Sequence, residues 1–347
     1  MPLVPMRQIL DEAAKAGYGV GAFNVNNMEQ IQAIMQAAYD TKSPVIIQAS
    51  RGALKYSKMV YLERLIQAAA DDCPEIPLAM HLDHGNSVET CKKAIALGFT
   101  SVMIDGSLAE DGKTPNTYEA NVAVTKAVVE MAHPLGVTVE GELGCLGGIE
   151  DGHGAGLSDK ETLSHLTDPK QAEDFVAQTG LDALAVAIGT SHGAYKSSRK
   201  DPRTGEVLPP TLAMDRIHEI HKRMPNCHMV MHGSSSVPKE LVDIVNKYGG
   251  KMPNTQGIPL EQIKDGIKHG VRKVNVDTDS RLAITGAIRK VFFEKPEKFD
   301  PRDYLGPARE AAYQLYRNRM AAFGQAGHVG DYRGMTLDDM KKVYGFK

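Results

Sequence analysis

Three histidines in this 347-residue chain are each followed by glycine, and each closes an apolar or β-branched run: His84 after LAMHLD, His192 after ALAVAIGTS and His232 after HMVM. Three neutral imidazoles are a donor set for zinc. With only three protein ligands a fourth position stays open to water or substrate, which marks a catalytic rather than a structural site. The donors alone leave cobalt, iron and manganese open. His153-Gly154 and His269-Gly270 repeat the dipeptide, so it is the place at a strand end that singles out 84, 192 and 232. The glycines let the backbone turn sharply and a ligand come close. His81, His133, His165, His218, His221, His228, His269 and His328 fall in helices, loops or earlier in strands and read as structural or surface residues. Asp83 adjoins His84. Neighbours on a regular strand face opposite sides, so Asp83 shares the site only if the strand ends there. It then sits beside a metal without ligating it, where a general acid/base is useful.

The remaining candidate strands also end in polar groups: Asn24, Ser50, Asp105 and Glu142, and Asn275, Asp277 and Asp279 on the last. A single acid at such a place is ordinarily a helix cap. Polar ends on every strand, at one edge, point to a site. The segment ELGCLGGIEDGHGAG (142–156) has glycine at 144, 147, 148, 152, 154 and 156. It reads as a lid carrying Glu150 and Asp151. It lacks the G-K-[ST] of a phosphate-cradling P-loop. HGSSSVPKE (232–240) sets Ser234, Ser235 and Ser236 just ahead of a helix with Pro238 in its first turn. Free amides and hydroxyls there suit a phosphate. The next loop offers Asn275, Asp277 and Thr278 at another helix start, with Lys196 and Arg281 as countercharge.

The elements that must position these groups alternate regularly. Candidate strands fall at 21–25, 45–50, 78–84, 101–107, 138–144, 183–193, 228–235 and 271–279. Helical periodicity falls at 28–40, 56–70, 88–97, 118–133, 169–179, 214–223, 238–247 and 259–268, and again at 307–323. Gly17, Gly98, Gly136, Gly180 and Gly270 stand where C-terminal caps belong. Eight strand–helix units are the number that closes a TIM (β/α)8 barrel, an α/β fold. An open doubly wound sheet competes, but no G-x-G-x-x-G follows the first strand. The whole of 1–347 reads as one domain. Its last part, from about 285, forms additional C-terminal helices that cover the barrel or build a subunit contact.

Composition bounds the partners. Forty basic against 43 acidic residues, net −3, leave no cationic excess for nucleic acid or an anionic membrane surface. The apolar runs are strand-length, well short of a span. The N-terminus has no secretory pattern. Cys73, Cys91, Cys145 and Cys227 form no C-x-x-C pair. A reduced, cytoplasmic setting is expected.

The motifs NVNN (24–27), HLDHG (81–85), VEGELGCLGGIEDG (139–152), GTSHGAYK (189–196), MHGSSS (231–236) and NVDTDSRLA (275–283) together resemble the class II, metal-dependent fructose-1,6-bisphosphate aldolases, over about residues 1–325. The resemblance implies reversible cleavage of the bisphosphate to dihydroxyacetone phosphate and glyceraldehyde 3-phosphate. It matches His84, His192 and His232 to the zinc ligands, and Asp83 to the acid/base at the C4 hydroxyl. Asp105 and Glu142 match an alternative, outer metal position, and Glu150 a mobile-loop glutamate that moves a proton at the dihydroxyacetone phosphate carbon. Gly193, Gly233, Ser235, Asn275, Asp277 and Thr278, with Lys196 nearby, match the binding site for that product's phosphate and hydroxyls. Asn24 and Ser50 match residues near the other half of the substrate, with Arg281 a partner for its second phosphate. The resemblance further implies a monovalent cation, Na+ or K+, and a homodimer or homotetramer. The long stretch 197–210 resembles the branch that accompanies Calvin-cycle pathways, which favours the fructose substrate and leaves sedoheptulose 1,7-bisphosphate open. Lys273 in the last strand keeps one rival in play, Schiff-base chemistry, which needs a desolvated lysine.

Overall fold

Short runs rich in Val, Ile, Ala and Met pair in chain order, all parallel: β1 Val20–Asn24, β2 Val45–Ser50, β3 Leu78–Gly85, β4 Ser101–Ile104, β5 Thr138–Leu143, β6 Ala183–Val186, β7 His228–Met231 and β8 Val271–Val276. β8 pairs back onto β1, Ala22 opposite Asn275, and the barrel closes. The computed structural model describes residues 3–109, 111, 113–146, 165–193 and 200–347. Glu150, Asp151 and Lys196 lie outside them.

The helices are α1 Met6–Ala16, α2 Met28–Thr41, α3 Arg51–Ser57, α4 Met59–Asp72, α5 Val88–Ala96, α6 Tyr118–Ala132, α7 Pro169–Thr179, α8 Met214–Arg223, α9 Lys239–Lys247, α10 Leu260–Lys268, α11 Thr278–Glu294, α12 Pro301–Ala322 and α13 Leu337–Val343. Their starts are written in the sequence. Asn27, Ser50, Ser87, Thr117 and Asp168 each accept a backbone N–H of the first turn that follows. Gly17 and Gly180 end α1 and α7 in the left-handed conformation, at φ 77° and 69°.

Two apolar shells hold the barrel. Ala22, Ile46, Ala79, Met103, Ala185 and Val230 fill its interior, and Met6, Ile9 and Leu10 of α1 join that cluster. Phe23, Ile47, Leu82, Val102, Leu184 and Val274 face the helices instead. Both strand faces are thus covered, the expected state of a parallel sheet. α1 packs against β1, β3, β7 and β8, and α12 lies along α2 and α11. Gln325, just beyond α12, accepts the Gly21 N–H and donates to the Pro44 carbonyl, so the C-terminal segment is bonded to the barrel itself.

The structure departs from the sequence reading mainly at boundaries. β6 stops at Val186 and β7 at Met231, so 187–193 and 232–235 are loop, not strand. The apolar character runs on past the last ladder pair because those loops are buried too. The expected helix 56–70 is two helices, parted at Lys58, whose φ of 58° cannot continue a helix. The final long helix begins not at Pro307 but at Pro301, capped by Asp300, with Pro307 inside it. α9 begins one residue after Pro238.

Candidate active site

β3 does not run straight into its loop. Its register on β4 shifts between Leu82 and Gly85, and His84 sits there with a left-handed backbone, φ 49°. The irregularity breaks the in–out alternation. Asp83 and His84 therefore line the same cleft, which a regular strand would forbid. The glycine after the histidine takes the left-handed turn at Gly193 and Gly233, φ 74° and 60°. At the first histidine His84 takes it instead, and Gly85 is needed for closeness: a Cβ there would meet the Met103 carbonyl oxygen at 2.5 Å.

The three imidazoles converge. Ring centroids lie 4.8 Å apart for His84 and His192, 4.7 Å for His84 and His232, and 6.2 Å for His192 and His232. One nitrogen from each falls within 4.8 Å of the others. His84 Nε2 and His232 Nδ1 face each other at 3.0 Å. Their opposite nitrogens are claimed, His84 Nδ1 by Asp105 Oδ2 at 3.2 Å and His232 Nε2 by Glu140 Oε1 at 2.7 Å. A carboxylate accepts an N–H, so each ring turns a bare nitrogen inward. Two facing lone pairs repel unless a proton or a cation lies with them. The donor set therefore fits a divalent ion. Burial opposes charge on His84, but Asp83, Asp105 and Glu142 outweigh it and raise its pKa to about 10. His232 is held well below the usual histidine range by burial, then by His84 and Lys273.

Asp105 and Glu142 form a second potential ligand group with the same His84. Ser107 donates to Asp105 from Oγ at 2.6 Å and from its amide at 3.2 Å. Burial and the neighbouring Asp105 push the Glu142 carboxyl well above its ordinary value. A third group, His218, Asp265 and His269, lies on the outside of the barrel between α8 and α10. There His218 Nε2 bonds Asp265 Oδ2 at 2.9 Å and His269 Nδ1 the Asp265 carbonyl at 2.9 Å, so the cluster satisfies itself.

Asp83 is almost enclosed. Its Oδ2 accepts from Asn24 Nδ2 at 2.8 Å and Gln48 Nε2 at 3.2 Å. Its Oδ1 is buried with no partner among the described residues. Across the cleft lie Gly233, Ser235, Asn275, Asp277 and Thr278. The serine run divides its work. Ser234 Oγ donates to the carbonyls of Met231 and Asn275, and the amides of Ser236 and Val237 are taken by Asp279. Ser234 and Ser235 both line the cleft, and Ser235 Oγ accepts the Asp277 amide at 3.3 Å. Among the described residues the N-cap of α11, Asp277, makes no side-chain cap bond to the first-turn amides.

A family model described as fructose-bisphosphate aldolase class-II matches residues 4–328. The chain belongs to the class II fructose-bisphosphate aldolases. It is 55% identical over 350 residues to a fructose-bisphosphate aldolase of Nostoc commune, covering 99% of this chain and 96% of that one. It is 55% identical over 352 residues to a fructose-bisphosphate aldolase class 2 of Synechocystis sp., with 99% and 96% covered. Among solved structures it resembles the YdjI aldolase from Escherichia coli K12, at 26% identity and a TM-score of 0.70, with 94% of this chain and 99% of that chain covered.

Within this aldolase the other expected residues fall as follows. Ser50 ends β2 level with Asp83 and caps α3. Gly193 follows His192 and is half-buried. Arg281 does not reach out alone: it forks onto Asp277, Nε to Oδ1 at 2.8 Å and an Nη to Oδ2 at 2.6 Å. Three residues escaped the sequence reading, and a fourth, Lys273, entered it only as a Schiff-base candidate. Gln48 steadies Asn24 and Asp83. Arg51 lies near Asp105, its guanidinium lowered by burial against that charge. Glu140 and Lys273 are fully enclosed and paired at 3.0 Å. Lys273 is thus held on a carboxylate under the site. The missed signal was periodic: Gln48, Glu140 and Lys273 each stand two residues before a noted strand-end residue, on the same face.

Proposed function

We propose that the class II aldolase reaction runs here on a zinc ion held by His84, His192 and His232, with Asp105 and Glu142 as an outer position. The observation that carries this is the 3.0 Å approach of two imidazole nitrogens whose opposite edges are both bound to carboxylates. The ion, when bound, supplies a Lewis acid that lowers the energy of the enediolate left when the C3–C4 bond of fructose 1,6-bisphosphate breaks.

The chain does the rest. Asp83 takes the C4 hydroxyl proton on Oδ1 and returns it in the condensation direction. Asn24 and Gln48 keep Oδ2 occupied, which aims Oδ1 at the cleft. Ser235, Thr278 and the backbone amides at the start of α11 hold the phosphate of the dihydroxyacetone half, with Gly193, Gly233, Asn275 and Asp277 beside them. Lys196 adds charge there, and a sodium or potassium ion on main-chain oxygens completes the site. Ser50 and Arg281 serve the other half, Arg281 by exchanging Asp277 for the second phosphate. Glu150 moves the proton at the dihydroxyacetone carbon. Fixing both halves makes bond formation effectively intramolecular.

The whole chain acts as one unit, which the bonds from Gln325 back to the barrel support. Exposed Tyr39, Tyr56, Tyr61, Phe292 and Phe293 support a homodimer or homotetramer. Four unpaired cysteines suit a cytoplasmic setting, and no helix among the described residues is long and apolar enough to cross a membrane. The 197–210 segment supports the Calvin-cycle-type branch. A coupled aldolase assay before and after chelation, with zinc add-back, tests the reading. Activity that survives chelation, with borohydride trapping substrate on a lysine, would overturn it.

A further inference from the structure

A charged layer lies under the metal ligands, inside the barrel. Glu140 of β5 and Lys273 of β8 are both fully enclosed, 3.0 Å apart. His81 of β3, enclosed too, bonds Ser101 at 2.7 Å and approaches the other face of Glu140 at 3.4 Å. Stability alone does not account for such a pair. Well-packed apolar residues of like volume serve a core as well or better. The layer sits one in-facing position below Asp83, Glu142 and Asn275 on the same three strands.

Its contacts point upward. Glu140 Oε1 is 2.7 Å from His232 Nε2, so that nitrogen carries the proton and Nδ1 keeps its lone pair, facing His84 Nε2 and Asn275 Nδ2. Lys273 Nζ lies 3.0 and 3.3 Å from the two Glu140 oxygens and donates to Asn275 Oδ1 at 2.9 Å. An ammonium only donates, so this bond decides which way the Asn275 amide faces. The NH2 is turned to the His232 ring, 3.1 Å from Nδ1.

We propose that Glu140 and Lys273 are positioning residues for this aldolase: Glu140 fixes the metal-binding tautomer of His232, and Lys273 fixes both Glu140 and the face that Asn275 shows the substrate. The inference rests on His232 being a metal ligand, and the test separates the two.

Three variants are compared with the wild type: Glu140→Gln, the charge-neutral double Glu140→Gln/Lys273→Met, and His232→Ala. The double variant leaves no unpaired buried charge, so it separates lost positioning from the cost of the unpaired Lys273 in Glu140→Gln. Zinc affinity of the metal-free proteins is read by competition with a chromophoric chelator. The His232 tautomer is read from side-chain nitrogen NMR of protein labelled with nitrogen-15 histidine. Glu140→Gln should weaken zinc binding 10–100-fold and lose the single Nε2-protonated signal. At saturating zinc the double variant should raise KM more than it lowers kcat, because Asn275 is freed while Asp83 is not. Wild-type zinc affinity and an unchanged tautomer in both Glu140 variants, with His232→Ala having lost zinc, would overturn the inference and leave the metal site standing. Full zinc retention by His232→Ala would overturn the metal reading itself.

Discussion

The Nδ1 of His232 and the Nε2 of His84 face each other at 3.0 Å, though 148 positions separate them in the chain. Only a closed barrel brings the ends of β3 and β7 that near. Each ring is aimed by a carboxylate behind it, Glu140 or Asp105. The meeting point is therefore set by the fold before any ion arrives.

Removing the third imidazole tests that point directly. His192→Ala should lose stoichiometric zinc after dialysis and at least a thousandfold in kcat/KM, because an open three-ligand site cannot spare one donor. Metal content by mass spectrometry and a circular dichroism spectrum decide it. A folded variant with one tightly held zinc would exclude His192 as a ligand.

Asp83→Asn separates binding from proton transfer. Asn24 and Gln48 can still hold the side chain. Zinc content should stay at the wild-type level while kcat falls about 10²–10⁴-fold, the range for a lost acid/base. Unaltered kcat would remove Asp83 from the chemistry.

The buried cysteines set a pH dependence. Burial raises the Cys91 thiol to about 12, and burial with Glu142 and Asp105 raises Cys145 to about 12. At pH 8 each carries about a thousandth of the thiolate of an ordinary exposed cysteine. Iodoacetamide should label them that much more slowly in native than in urea-unfolded protein. The sign for stability follows. A thiol raised on folding contributes fully below the unfolded value near 8.5, and the contribution is lost as pH climbs toward 12. Native-state labelling as fast as unfolded labelling at pH 8 would contradict the burial.

Arg319 of α12 ties three elements together. It pairs with Asp279 of α11 at 2.8 Å, and Asp279 also accepts the amides of Ser236 and Val237. Arg319→Ala leaves an enclosed carboxylate unpaired and should cost about 3 kcal/mol in urea unfolding, with KM raised through the loop that carries Ser235. A change below about 0.5 kcal/mol would show that the pair contributes little.

Much of this was legible in the sequence, for particular reasons. The strand–helix alternation fixed the barrel, and α7 and α8 match the expected 169–179 and 214–223 in full because Asp168-Pro169 and Gly180 mark α7 and a strong amphipathic pattern marks α8. The histidine set was legible because each member follows an apolar run. Glu140, and its pairing with Lys273, were not, since a charge inside a strand reads as a solvated edge until the closed topology shows that no solvent is there. The serine run misled in part: which amides of 234–237 are open depends on Asp279, more than 40 positions away, and no local pattern records that bond. Arg281 reads as a free cation in sequence and sits on Asp277 in space.

The kink at His84 binds two inheritances into one. A single backbone defect delivers both an electron-pair donor and a proton carrier from adjacent codons, so neither can drift along β3 without the other. Deleting one residue between Leu82 and Gly85 would restore a smooth ladder, and it would remove Asp83 or His84 in doing so. Such a shortened protein would be a tidier barrel and an idle one.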